Sequence, residues 1–367
     1  MARKPRRRAT QQQPQHRSAV ELLEAPVYTD EERRSVVEFM LALRKSHIQE
    51  FLQDVDLPKS GSKSELRERI QDAIEEGRLT VEQLVAFLDT IVPWGKQHVF
   101  LFTGPRGDVG SWKDPEHVLD KLKKQQLEHV FNARLPLVLP EELTLSSITH
   151  AAGRLRVTAV QKREYTERAP EYDDTKVTDG DGEVILKAYV NHVSRTLVAF
   201  EWDLNANVAM LQITQLNRDT LYEEVAKEFF KLVSGWLDST MFAPVNVRAA
   251  IRKLHELADN GKAEARFHGI DYRTLRGSRL SAKSPSPRDS VFADDIIDGA
   301  MAGVAKSSVG HLGNFYWLAG SNGNGLVNPL KTDVHLFIVG DKHRINFPTP
   351  NSEDVVRYVL HRVRALS

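Results

Sequence analysis

Residues 57–70 read Leu57-Pro58-Lys59-Ser60-Gly61-Ser62-Lys63-Ser64-Glu65-Leu66-Arg67-Glu68-Arg69-Ile70. Pro58 cannot continue a helix, because it lacks the N–H and its ring clashes with the preceding turn. Gly61 gives the backbone a conformation closed to other residues. Ser62 then offers an N-cap, and Glu65, three residues on, completes a capping box. Behind that cap Leu66, Ile70 and Ile74 recur on one helical face. The stretch is a stop, a tight turn and a restart, so it joins two short helices through an extended connector with Leu57 plugged into their shared core. Lys59, Lys63, Arg67 and Arg69 surround the connector and the restart. The N-terminus of a helix offers free N–H groups and the positive end of the dipole, a combination that suits a phosphate.

Helical signals continue on both sides. Thr29 and Glu32 have capping-box spacing, followed by Val36, Val37, Phe39, Met40, Leu41 and Leu43. Residues 46–55 place Ile48, Phe51, Leu52 and Val55 on one face of a second helix. A third helix covers residues 63–76. A fourth opens at Thr80, again with capping-box spacing to Gln83, and ends before Pro93.

The arrangement at residues 46–76 resembles the SAP domain, a helix–connector–helix DNA-binding module. The family pattern Leu-Pro-x-x-Gly-x-Lys-x-x-Leu-x-x-Arg falls on Leu57, Pro58, Gly61, Lys63, Leu66 and Arg69. Phe51 stands where leucine is usual, which keeps the core apolar. The resemblance implies that the connector and the N-terminus of the second helix meet the DNA backbone, often of AT-rich duplex. It points to Lys59, Ser60, Gly61, Ser62, Lys63 and Arg67. Asp54, Asp56, Glu65, Glu68, Glu75 and Glu76 weaken the local field, so this module alone should bind weakly.

The first 28 residues supply what the module lacks. Arg3, Lys4, Arg6, Arg7, Arg8 and Arg17 occur there among Gln and Pro, with no acid before residue 21. Such a composition cannot bury enough apolar surface to offset its ordering entropy, so it reads as a disordered basic arm. Arm and module together would release many counterions from DNA and make binding steeply salt-dependent. Over the 367 residues the formal net charge is zero, 41% of residues are hydrophobic and 27% charged, as in ordinary globular proteins. No cysteine is present, which excludes disulfides, zinc–thiolate sites and a thiol nucleophile. No apolar run approaches the roughly 20 residues that span a bilayer, and the basic start is not followed by a secretory apolar segment.

Beyond residue 93 the texture turns to strands. Residues 97–103 form one, Asp114 and Pro115 open a helix to about residue 132, and residues 155–164, 183–193, 195–203 and 208–216 form an antiparallel sheet. Leu204-Asn205-Ala206-Asn207 is the hairpin turn between the last two. Helices return at 218–237 and 245–260. Residues 275–290 are rich in Ser, Pro and Arg and read as a mobile loop, and residues 299–328 are glycine-rich and left untyped. Two strands, 334–339 and 344–347, and a helix at 352–366 close the chain.

Signals for catalysis are few. No Walker lysine motif or G-x-S-x-G elbow occurs, and Gly320–Gly325 reads as a turn. The 13 histidines lack H-E-x-x-H spacing, and Asp179-Gly180-Asp181-Gly182-Glu183 reads as a hairpin turn. A nuclease needs clustered carboxylates with a lysine; Glu183 with Lys187, and Glu201 with Asp203, are the candidates, although period-two charges also suit a wet strand face. The aromatic stretch 311–317 reads as packing. Arg154, Arg156, Lys162 and Arg163, and Arg273, Arg276, Arg279, Lys283 and Arg288, are further basic tracts.

The reading is therefore an α+β protein: a disordered basic arm (1–28), a small helical SAP-like domain (29–93) and a larger domain with an antiparallel sheet and flanking helices (94–367). The function expected is a non-catalytic adaptor, structural or regulatory factor on double-stranded DNA. Two other classes stay open: a nuclease-like enzyme targeted by the module, and an assembly factor with a protein partner. No cofactor, metal or membrane contact is assigned. The setting expected is cytoplasmic and nucleoid-associated, or nuclear in a eukaryotic host, in genome defence or maintenance.

Overall fold

Three capping boxes start the helices of the N-terminal quarter in the computed structural model, which describes residues 28–367 apart from 44, 108, 171–176, 180–181, 185–186, 217–220, 275, 306–307 and 322–326. Thr29 caps α1 (Asp30–Ala42), Ser62 caps α3 (Lys63–Glu75), and Thr80 accepts from Gln83 at the start of α4 (Val81–Ile91). Between the first two lies α2 (Lys45–Asp54). Their apolar stripes meet in one core of Val36, Met40, Ile48, Leu52, Leu66, Ile70 and Leu84, with Leu57 plugging it from the connector. Leu137, from beyond the helical quarter, joins the same core.

The rest is a sheet with helices. In chain order it runs β1 (Gln97–Thr103), α5 (Pro115–Lys123), β2 (Thr144–Ala151), β3 (Arg154–Arg168), β4 (Val177–Asp179), β5 (Gly182–Val184), β6 (Tyr189–Asp203), β7 (Val208–Thr214) and α6 (Tyr222–Val233). There follow β8 (Ala243–Pro244), α7 (Val247–Asp259), β9 (Ala265–Thr274), β10 (Arg279–Lys283), α8 (Asp295–Ala305), β11 (Ser308–Trp317), β12 (Val334–Val339), β13 (Arg344–Phe347) and α9 (Glu353–Leu366). The large sheet is ordered β10-β9-β11-β12-β13-β1-β7-β6-β3-β2, with β8 beside β1, and its pairs are antiparallel. β4 and β5 form a separate hairpin.

β1 is the strand where two cores meet. Period-two alternation sends Phe100 to one face, with Leu155, Val157, Phe200, Trp202 and Leu211, under Val118 and Leu122 of α5 and Val225, Phe229 and Val233 of α6. Val99 and Leu101 point to the other face, with Phe267, Phe315, Trp317, Leu336 and Ile345, under Ile251 and Leu254 of α7 and Val356, Val359 and Val363 of α9. The helices thus cover opposite faces of the two halves.

Two expectations are corrected and one untyped region is assigned. The Ser/Pro/Arg-rich stretch expected as a mobile loop carries β10, which pairs with β9 from Arg279↔Arg273 to Lys283↔Gly269. The untyped glycine-rich region holds most of α8 and all of β11. The helix after Pro115 ends at Lys123, eight or nine residues sooner than read. Among the described residues, no helix is long and apolar enough to cross a membrane.

Candidate nucleic-acid interface

The connector is held by side chains at each end. Gly61 has φ +127, where a Cβ would sit 2.9 Å from the Glu65 carboxylate. That carboxylate accepts from the Ser62 N–H at 2.5 Å while Ser62 Oγ accepts from the Glu65 N–H at 3.3 Å. These capping bonds hold the Glu65 carboxyl below its usual range. Arg69 donates to the carbonyl oxygens of Pro58 and Ser60 at 2.6 and 2.7 Å, so it fixes the connector's path. Gln49 Nε2 donates to the Lys59 carbonyl at 2.9 Å, and Lys59 Nζ donates to Gln53 Oε1 at 2.5 Å.

The two remaining cations face α1. Lys63 Nζ donates to the Leu41 and Leu43 carbonyls, both at 2.8 Å, and so closes the C-terminal end of α1. Arg67 forms a two-pronged pair with Glu38 at 2.6 and 3.1 Å, both side chains about half exposed. Beside them runs a groove of about 1280 Å³ between α1, α3 and the long β3–β6 ribbon. Arg34, Lys63, Arg67 and Lys162 line it against Glu31 and Glu38. Lys162 comes from the basic strand tract already read beside the module, whereas Arg34 escaped the sequence reading, because only the packing of α1 on α3 brings it there.

Lys59, Ser60, Gly61, Ser62, Lys63 and Arg67 are thus gathered at one end of the helical bundle. Arg3, Lys4, Arg6, Arg7 and Arg8 lie outside the described residues. Residues 41–75 match the SAP domain. The match supports nucleic-acid binding and coincides with the segment from the end of α1 to the end of α3. No curated protein matches the chain.

Among the described residues of the other basic tracts, Lys162 alone lines that groove. Arg154 and Arg156 turn toward Glu201, and Lys162 pairs with Glu141 at 3.0 Å and Glu164 at 2.6 Å. Arg279 and Lys283 are exposed on β10, at the sheet edge remote from β3, with Arg279 paired to Asp271. Charges there protect an edge strand from pairing with another chain.

The carboxylate candidates are occupied by protein groups. Glu201 is 5% exposed and accepts from Arg357 at 2.7 and 2.9 Å and from Arg156 at 3.2 Å, with Arg154 at 3.9 Å. Trp94 lies against the guanidinium groups of Arg357 and Arg156, at 5.1 and 6.0 Å from its centroid. Asp203 accepts from the N–H groups of Asn205 and Ala206 in the β6–β7 turn. Glu183 lies on β5, Lys187 is exposed, and Asp181 and most of the 320–325 turn lie outside the described residues. In the 311–317 stretch Phe315 and Trp317 are core, and Tyr316 stacks on His335 at 4.6 Å.

Proposed function

We propose that the protein binds double-stranded DNA through the phosphate backbone, using the connector, the first turns of α3 and the basic arm, as a non-catalytic adaptor or structural factor. The observation that carries this reading is the SAP match over residues 41–75, centred on a capped helix start with Lys59 and Arg67 at the surface. The intramolecular partners of these two cations are inexpensive to exchange. An exposed pair such as Arg67–Glu38 is worth about 0–1 kcal/mol, whereas a guanidinium forked onto a phosphate gains charge-assisted bonds and releases counterions. Lys63 differs, because its ammonium closes α1, so charge reversal there would disturb the fold as well as the surface.

The test is fluorescence anisotropy with duplex DNA across a salt series, with Mg²⁺ present and the DNA run on a gel afterwards. Wild type is compared with Lys59→Glu/Arg67→Glu and with a chain lacking residues 1–27, all matched by thermal melting. Loss of two phosphate contacts should reduce the slope of log K against log salt by about 1.8, and loss of the arm should reduce it further. Absence of binding at low salt, or a double variant with unchanged slope, refutes the interface. Cleavage of the DNA by wild type refutes the non-catalytic part and favours the nuclease-like alternative. Intact DNA with no binding leaves the protein-partner alternative standing.

A further inference from the structure

On the face of the sheet covered by α7, a histidine is buried with one nitrogen unused. His255 is 3% exposed, its ring stacked on Phe292 at 3.9 Å and 7°. Its Nδ1 lies 3.0 Å from the hydroxyl of Tyr272, itself fully buried. The phenol oxygen can accept from Nδ1–H. The ring is thereby oriented with Nε2 turned away from Tyr272. Among the described residues Nε2 has no hydrogen-bond partner. It faces two carboxylates instead: Asp259 at the end of α7 and Asp298 in the first turns of α8.

We infer that His255 Nε2, Asp259 and Asp298 form a binding site for one first-row divalent transition ion of the Mn²⁺-to-Zn²⁺ class. The three ligand atoms lie within 4.8 Å of one another. Nε2 and Asp259 Oδ1 are 3.6 Å apart, too long for an N–H···O bond. Two ligands bound at 2.0–2.1 Å to a tetrahedral ion sit about 3.3 Å apart, so small side-chain movements complete the set. The electrostatics point the same way. Asp259 sits at the negative end of the α7 dipole, whose last turn carries no basic residue. Among the described residues, neither Asp259 nor Asp298 forms a salt bridge with a lysine or arginine; Arg252, the nearby cation on α7, is paired with Glu256 at 3.5 Å. Two carboxylates and the C-terminus of α7 thus converge with no lysine or arginine paired to either carboxylate among the described residues, and a dication would supply that charge.

The donor set chooses the ion class. One imidazole with two carboxylates suits borderline transition ions, whereas Mg²⁺ and Ca²⁺ take oxygen ligands. The Tyr272 contact to Nδ1 is the outer partner that ligating histidines usually have. Three protein ligands leave a position for water. The ion would tie α8 to α7; Met301 of α8 belongs to the same core as Ile251 and Leu254 of α7. This inference is independent of the DNA reading.

The experiment uses tag-free full-length protein stripped with EDTA, titrated calorimetrically with Zn²⁺ and Mn²⁺ and optically with Co²⁺. The expected result is one tight equivalent, visible Co²⁺ absorption and a raised Tm. Asp259→Asn and Asp298→Asn, both at accessible positions, should each weaken binding by about tenfold or more. Without metal their Tm should equal or exceed that of wild type, because the repulsion is relieved. Failure of folded wild type to bind Zn²⁺, Co²⁺ and Mn²⁺ up to about 1 mM overturns the inference. So does binding that both variants retain unchanged, since the ion is then held by other histidines.

Discussion

Replacing Glu201 by alanine separates an ion-pair hub from a catalytic carboxylate. The carboxylate is 5% exposed and takes hydrogen bonds from Arg357 and Arg156; burial lowers the pKa of Arg156, while at Arg357 the bonds to Glu201 and Glu353 outweigh desolvation and raise it. Removing it leaves two guanidiniums facing each other against Trp94. Breaking a buried pair costs about 3–5 kcal/mol. Arg357 keeps Glu353 at 2.6 Å, which places Glu201→Ala at the low end, about 3 kcal/mol. Glu201→Gln retains an acceptor and should cost about 1.5–2 kcal/mol. In a cycle with Arg357→Met the coupling should reach about 2 kcal/mol, since contacting residues are not additive. The assay is urea denaturation followed by tryptophan fluorescence, with linear extrapolation, alongside a DNA cleavage gel. A loss below about 1 kcal/mol for Glu201→Ala refutes the hub, given the range for buried pairs. Wild-type cleavage abolished by Glu201→Gln at unchanged stability would instead make the carboxylate catalytic.

Three further outcomes follow from the same contacts. Gly61→Ala forces an alanine to φ +127 with its Cβ 2.9 Å from the Glu65 carboxylate, and should destabilise the helical bundle by about 1–3 kcal/mol in denaturation followed by far-UV circular dichroism. Lys63→Met removes two bonds to carbonyls at the end of α1; it should cost about 1–3 kcal/mol and speed amide exchange around residue 43, and unchanged exchange would count against it. Burial, helped by Arg344, lowers His98 from 6.5 to about 3, so the unfolded chain binds a proton that the fold refuses. Stability from this group is complete above pH 6.5 and falls by about 1.4 kcal/mol per pH unit as pH drops from 6.5 toward 3. His98→Phe, which keeps the stack on Tyr222, should flatten that part of the stability–pH curve, and an unaltered slope would refute the assignment.

What the sequence disclosed was local. The capping boxes at Thr29, Ser62 and Thr80 and the turn at Gly61 depend on residues three or four apart, and each forms as read. The partners of the cations were not legible. Lys63 reaches back to Leu41, Arg67 to Glu38 and Arg156 across to Glu201, separations that no local pattern encodes. Glu201 and Asp203 looked like a wet strand face because α9, which supplies Arg357, lies 150 residues downstream. In β11 glycine left the element untyped: a Cβ on Gly310 would meet Ile251 at 2.8 Å, so glycine there reflects close packing against α7. In β10, serine and arginine fit an edge strand, which needs few apolar side chains.

The position of β1 has a consequence for synthesis. It is the first strand of the large sheet to be made, yet its neighbours are β7 and β13, whose pairing residue for Val99 is Ile345, roughly 250 residues later. At translation rates of about 5–20 residues per second, the strand waits on the order of 10–50 seconds for that partner. Until α7, β12 and α9 are made, Val99 and Leu101 present apolar surface on the face those elements will cover. A ribosome stalled before β12 would hold a chain in which β7 has paired but the other side of β1 is an open, apolar edge. The nascent protein is therefore exposed to mispairing at a strand whose first five residues are buried in the finished molecule.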